Sequence, residues 1–168
     1  ISNECYVINS FSKYFSMTGW RIGWMVVPES HIRRIERIAQ NMFICAPHVS
    51  QIAALGAFNG KFELQKNLLV YKENRDVLTK GLSEAGFKDI AHPDGAFYIY
   101  ADIGLFSKDS LSFATEILDT VAVAVTPGID FDPVNGRTKL RFSYARTTKE
   151  IKEGVRRIKS FMKKRNFI

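Results

Sequence analysis

The sequence predicts a mixed α/β protein, and three observations carry that reading. Short apolar runs bounded by turn residues alternate with longer stretches whose apolar residues recur at helical spacing. The chain has 168 residues, of which 46% are apolar, enough for one or two small globular domains and too many for a disordered or collagen-like chain. After Gly86 the pattern changes from long helices to short strands and turns.

Residues 5–9 predict a short buried strand ending in a polar turn, and residues 23–27 a second strand closed by Pro28. A helix follows over residues 30–43, marked by Ile32, Ile35, Ile38 or Ala39, and Met42, and it stops before Pro47. Residues 49–58 carry another apolar helical pattern, broken at Asn59-Gly60. A long amphipathic stretch then runs from Phe62 to about Ala85 and is ended by Gly86. Beyond it, residues 96–101 alternate after the Pro93-Asp94-Gly95 turn, residues 111–118 are helical, and residues 122–126 predict a strand stopped by Pro127-Gly128. Residues 140–144 form another strand, and Thr147 with Glu150 make a capping box that opens the last helix. A domain boundary is expected near residues 60 to 65. The first piece has too few elements to cover both faces of a parallel sheet, whereas the second has enough for a small domain. The lead-in at Ser2, Asn3 and Glu4 has neither cap nor tail character, which suggests a chain that begins within a longer protein.

Charge and composition narrow the function classes. Lys and Arg number 24 against 17 Asp and Glu, a net +7. Nine basic and two acidic residues between Arg146 and Arg165 account for all of that excess. Ile151, Val155, Ile158 and Phe161 or Met162 form the apolar stripe of this terminal helix, so its other face is expected to be a solvated basic surface. Without aromatic interleaving, nucleic acid and anionic lipid are not expected partners. No window approaches the roughly 18 apolar residues of a membrane span. Two cysteines, Cys5 and Cys45, and no leader pattern fit a reducing, cytoplasmic setting. His31, His48 and His92 lack metal-ligand spacing and are expected as surface or capping residues.

The segment from Ser10 to Trp24 concentrates hydroxyls, one lysine, one arginine and two glycines between two apolar strands. Ser10 and Ser12 can donate to phosphate oxygens, Arg21 can grip two of them, and Gly19 and Gly23 allow close backbone approach. Lys13 is then left for chemistry as a nucleophile toward carbonyls and a proton shuttle, provided burial and the neighbouring guanidinium tune it. An ordinary loop with a surface lysine is the plain alternative. Ser10-x-x-Lys13 also fits the serine-lysine pattern of penicillin-binding acyl transferases, but its companion motifs are missing. Residues 81–88 have the flavour of a phosphate loop but place Phe87 where lysine is required.

The runs Ser10-Phe11-Ser12-Lys13 and Met17-Thr18-Gly19-Trp20-Arg21-Ile22-Gly23 resemble the cofactor-lysine signature of the class I and II aminotransferases, fold-type-I enzymes that use pyridoxal phosphate. The resemblance implies that Lys13 forms a Schiff base with that cofactor and later moves the substrate proton, with Ser10 and Arg21 on the phosphate and Ser12 beside it. Leu140-Arg141-Phe142-Ser143-Tyr144-Ala145 resembles the late strand whose arginine pairs with the substrate α-carboxylate, a role that falls to Arg141. An internal salt bridge is the alternative, since a strand flanked by apolar residues rarely buries a guanidinium without a carboxylate. Pro93-Asp94-Gly95-Ala96-Phe97-Tyr98 resembles a strand entering the active-site mouth, which makes Phe97 a substrate contact or a plain core aromatic. Val125-Thr126-Pro127-Gly128 also fits, whereas Ile129-Asp130-Phe131-Asp132 departs from the small-residue loop that usually follows.

The resemblance implies the C-terminal part of the fold-type-I fold. Residues 1–61 would be the remnant of the large α/β cofactor domain and residues 62–168 the small α+β domain. The cofactor-ring aspartate of complete members precedes the lysine, yet the first Asp here is Asp76. With the rest of that first half also missing, the chain alone is expected to be a poor catalyst. The reaction implied is transfer of an amino group from an L-amino acid to a 2-oxo acid by a homodimer. Residues 43–47 would then face the second subunit's phosphate, with Cys45 either contacting it or serving as a small buried hydrophobe. A lyase or synthase of the same fold, or a non-catalytic fragment that packs on a partner, is the alternative.

Overall fold

The structure, a computed structural model, describes residues 4–168, so residues 1–3 and the reading of Ser2 and Asn3 lie outside the described residues. The chain divides into two compact units, Ile1–Asn67 and Leu68–Ile168.

In the first unit, β1 (Val7–Ser10) and β2 (Gly23–Val26) pair antiparallel, with Val7 opposite Val26 and Ser10 opposite Gly23. Helices α1 (Glu29–Met42) and α2 (His48–Ala57) follow, then the first turns of α3 (Lys61–Glu84), the helix within which the division falls. Pro28 and Pro47 each precede a helix, where the fixed proline φ and missing N–H cost nothing. Phe11, Met17 and Ala54 form a buried apolar cluster, with Phe15, Ile22, Ala53 and Ala57 packed around them, and Leu64 is also buried.

Three expectations are corrected here. The first strand is not buried: every residue of β1 is exposed, Ile8 at 75%. Helix α1 has the predicted apolar periodicity but buries no residue, and Cys45 is exposed rather than buried.

The second unit holds β3 (Tyr98–Asp102), α4 (Ser110–Val121), β4 (Thr126–Pro127), β5 (Lys139–Ser143) and α5 (Thr148–Lys164) with the rest of α3. Its sheet has the order β3-β5-β4, antiparallel throughout, with Tyr100 and Thr126 flanking Arg141 on either side. Helices pack on it through a continuous core that includes Leu82, Phe87, Ile99, Ile117, Leu140 and Phe161. Gly81 lies inside α3, not in a phosphate loop, because a Cβ there would run into the γ carbons of Val155 on α5. Asp109 caps α4 by accepting from Leu111 and Ser112 N–H, and the expected box between Thr147 and Glu150 opens α5.

The strand expected over residues 122–126 shrinks to Thr126–Pro127. Helix α4 continues to Val121, Ala122 takes the left-handed conformation that ends it, and Pro127 has no N–H with which to extend a ladder. The stripe of α5 is buried as expected through Ile151, Val155, Ile158, Phe161 and Met162. Its basic face is more than a solvated surface, because Lys152 pairs with Glu73, Arg156 and Arg157 with Glu153, Lys159 with Glu84, and Arg165 with Glu116. Arg156 and Arg157 together hold the Glu153 carboxyl down at about 2. No helix among the described residues is long and apolar enough to cross a membrane.

Candidate active site

The β1–β2 connection carries the lysine and is shaped by its own backbone. Phe11 N–H donates to the Ile22 carbonyl (3.2 Å) and the Phe11 carbonyl accepts from Met17 N–H (3.1 Å), which closes the loop at its base. Phe11 and Phe15 anchor it, their rings meeting Phe58 at 5.6 and 5.4 Å between centroids, and Phe11 meets Trp24 at 4.9 Å. Lys13 lies midway between these two anchors, so a flexible side chain springs from a fixed stretch of backbone. The burial expected around Lys13 is not supplied by this chain, since the residue is exposed.

The hydroxyls and the guanidinium lie on the same loop. Ser10 Oγ accepts from Ser12 N–H at 3.0 Å, and Thr18 Oγ1 donates to the Ser12 carbonyl at 2.7 Å. Arg21 adopts a left-handed backbone (φ 51°) that turns its side chain back to donate from Nη1 to the Thr18 carbonyl at 2.9 Å. Arg21 is thus held by a neutral oxygen and pairs with no carboxylate among the described residues. The two glycines differ. At Gly23 a Cβ would lie 2.5 Å from the Asn9 carbonyl oxygen, so the ladder opposite Ser10 requires glycine; at Gly19 no protein atom comes within 4 Å of that position.

In the second unit, Arg141 stands in the middle of β5 and is half-buried. The internal salt bridge weighed above does not form: no described carboxylate pairs with it. Its Nη2 donates to Thr126 Oγ1 over a long 3.4 Å, and its Nε is buried without a partner. The guanidinium carbon lies 4.2 Å from the centroid of Phe131 and 5.2 Å from that of Tyr98. Two strand positions earlier, Lys139 meets Asp102 at 2.8 Å. Burial pushes that carboxyl up, but the hydrogen bonds from Lys139 and Gly104 N–H outweigh it and hold Asp102 below the usual range.

Phe97 precedes β3. Its carbonyl accepts from Tyr144 N–H at 2.8 Å and its ring, partly buried, packs against the core. His92 lies 3.4 Å from Asp94 on the surface, and no group of three or more metal-ligating side chains forms among the described residues. The sequence reading missed Tyr98, Thr126 and Phe131. An aromatic inside a short polar turn, at a point where the family pattern breaks, was the available signal for Phe131.

Residues 2–158 match the family described as aminotransferase class I and II. The chain belongs to that family. It is 44% identical over 163 residues to a valine–pyruvate aminotransferase of Mycobacterium tuberculosis, covering 96% of this chain and 42% of that protein. It is 39% identical to a (5-formylfuran-3-yl)methyl phosphate transaminase of Methanocaldococcus jannaschii, covering 94% and 42%. Among solved structures, one from Silicibacter pomeroyi, described as an aminotransferase, shares 62% identity at a TM-score of 0.93, covering 97% of this chain and 44% of that one. A Mycobacterium tuberculosis aminotransferase also reaches 0.93, at 44% identity. The fold is that of fold-type-I aminotransferases, and the chain spans less than half the length of these relatives.

Proposed function

We infer that this chain is the lysine-bearing and carboxylate-binding portion of a pyridoxal-phosphate-dependent aminotransferase that moves an amino group from an L-amino acid to a 2-oxo acid. The observation that carries the reading is Arg141: a half-buried guanidinium that pairs with no acid of the described residues leaves a cation ready for a carboxylate from outside. Family membership supports it, as do relatives whose names are those of transaminases.

The residues of the β1–β2 connection fit the cofactor. Two hydroxyls and a guanidinium without an acidic partner are a donor set for a phosphate dianion, so Ser10, Ser12 and Arg21 would hold that group. When bound, pyridoxal phosphate supplies a carbonyl for amines and a ring that takes up the electron pair of the substrate Cα–H bond. Lys13 Nζ acts as the nucleophile toward the carbonyl and as the base that takes the proton from Cα and returns it. Arg141 fixes the substrate carboxylate, which sets the orientation of the Cα–H bond for that transfer. The domain roles belong to the same proposal: residues 1–61 from the large cofactor domain, residues 62–168 the small one, in a homodimer when the enzyme is complete.

The test is to incubate the chain with pyridoxal phosphate, reduce with borohydride and map the labelled lysine, with phosphate-free pyridoxal as control. Selective, phosphate-dependent labelling of Lys13 is the expected result. Label scattered over other lysines, or none, would sink the cofactor assignment.

A further inference from the structure

We propose that Phe131 and Tyr98 are positioning residues whose rings hold the Arg141 guanidinium without using the N–H donors that a substrate carboxylate would need. This rests on reading Arg141 as the carboxylate-binding group. Most half-buried arginines are fixed by an acid, and that acid consumes the donors a ligand would need. Here the guanidinium has two aromatic rings as neighbours instead. Phe131 lies 4.2 Å and Tyr98 5.2 Å from the guanidinium carbon, within the range where a ring quadrupole attracts a cation, and such contacts use no N–H donor. The one side-chain hydrogen bond of Arg141 among the described residues, to Thr126 Oγ1, is 3.4 Å long and cannot fix the orientation alone.

The loop that carries Phe131 is stiff, as a clamp requires. Phe131 and Asp132 N–H both donate to the Gly128 carbonyl at 3.0 Å, Gly136 N–H donates to the Asp132 carbonyl at 2.9 Å, and the Asp132 carboxylate accepts from Val134 and Asn135 N–H. Gly128 and Gly136 touch so closely that a Cβ on either would collide with the other's backbone. Yet Phe131 itself is 53% exposed, so its ring contributes little to the core and its main protein contact of this kind is Arg141. A guanidinium already held in one plane loses less freedom on meeting a carboxylate, and that raises affinity without a new contact to the ligand.

The experiment uses nitrogen-edited NMR of the Arg141 Nε–H group in this chain, titrated with pyruvate, with pyruvamide as the carboxylate-free control. In the wild type the two rings should shift that resonance upfield, and pyruvate but not pyruvamide should move it saturably. Phe131→Leu keeps the apolar volume at an exposed site and removes the ring. It should return the resonance toward its ordinary position and weaken pyruvate binding about three- to tenfold. Tyr98→Leu should act in the same direction by less, because its ring is farther away, and Phe131→Tyr should restore both readouts. An unshifted resonance in Phe131→Leu, or a shifted one with unchanged pyruvate affinity, overturns the clamp. Arg141→Gln separates the two failures: equal pyruvate binding by it and the wild type overturns the reading of Arg141, whereas dependence on Arg141 with indifference to Phe131 overturns only the clamp.

Discussion

The two units of this chain use comparable apolar sequence to different ends. In Leu68–Ile168 the apolar faces of α3, α4, α5 and the sheet meet one another, and Leu82, Ile99, Ile117, Leu140, Phe161 and Met162 lose contact with water. Among the described residues of Ile1–Asn67 the buried apolar cluster is small, Phe11, Met17 and Ala54, with Leu64 also buried, while Ile8, Met42 and Leu55 remain 75%, 75% and 66% exposed. The lesson is that an apolar period predicts a helix or strand without saying what covers it. Burial of this kind stabilises by about 25 cal/mol per Å² of apolar surface, so the second unit should hold its fold far better than the first.

The contrast can be broken most directly in the core. Phe161→Ala, at a fully buried site, should cost the second unit about 3–5 kcal/mol, whereas Leu55→Ala in the first should stay within about 0.5 kcal/mol. Urea unfolding separates the units, because both tryptophans, Trp20 and Trp24, lie in the first: their fluorescence should change at lower urea than the helical circular dichroism. Coincident transitions would end the comparison. Next in size is Gly128→Ala, where a Cβ would lie 2.5 Å from the Gly136 carbonyl oxygen and 2.8 Å from Lys139 Cβ. It should cost about 1–3 kcal/mol by overpacking, against a neutral or slightly favourable Gly19→Ala, again by urea midpoint.

A third variant, Thr147→Ala, removes the side-chain cap of α5 and should lower stability by about 1 kcal/mol, with loss of hydrogen-exchange protection at the Glu150 amide. Helix α1 has no side-chain cap to lose. The smallest effect belongs to Glu153. Its carboxyl titrates at about 2, below its value in an unfolded chain, so its contribution is present above the ordinary carboxylate range and disappears as pH falls through about 2. Thermal unfolding of Glu153→Gln and wild type should therefore differ at pH 7 and converge at the acid end of a scan down to pH 2.

What could be read in advance follows the range of the interactions. Helix α5 was legible in detail because its capping box and its apolar stripe are local, and its acids Glu73, Glu84 and Glu116 were not, because they come from other helices. The run over residues 122–126 reads as a strand by composition, yet the left-handed turn at Ala122 gives most of it to a helix end and a loop. Ser10, Ser12, Lys13 and Arg21 could be named from the density of hydroxyls and charges in one loop. The aromatic neighbours of Arg141 could not, since Tyr98, Phe131 and Arg141 come from a strand, a loop and another strand that only the tertiary fold brings together. Exposure of β1 was illegible for the converse reason: an apolar strand implies a cover, and the described residues do not provide one.

Asn74, inside α3, is fully buried and donates through Nδ2 to the carbonyls of Tyr144 and Arg146 at 3.1 and 2.6 Å. Those two carbonyls follow directly on the strand that bears Arg141, so the amide works as a gauge stop. It sets how far β5 can slide along the sheet, and with it the depth at which the guanidinium three residues upstream is presented. An aspartate in its place would keep the shape and face both carbonyls with like charge, releasing the stop while leaving every residue around Arg141 unchanged.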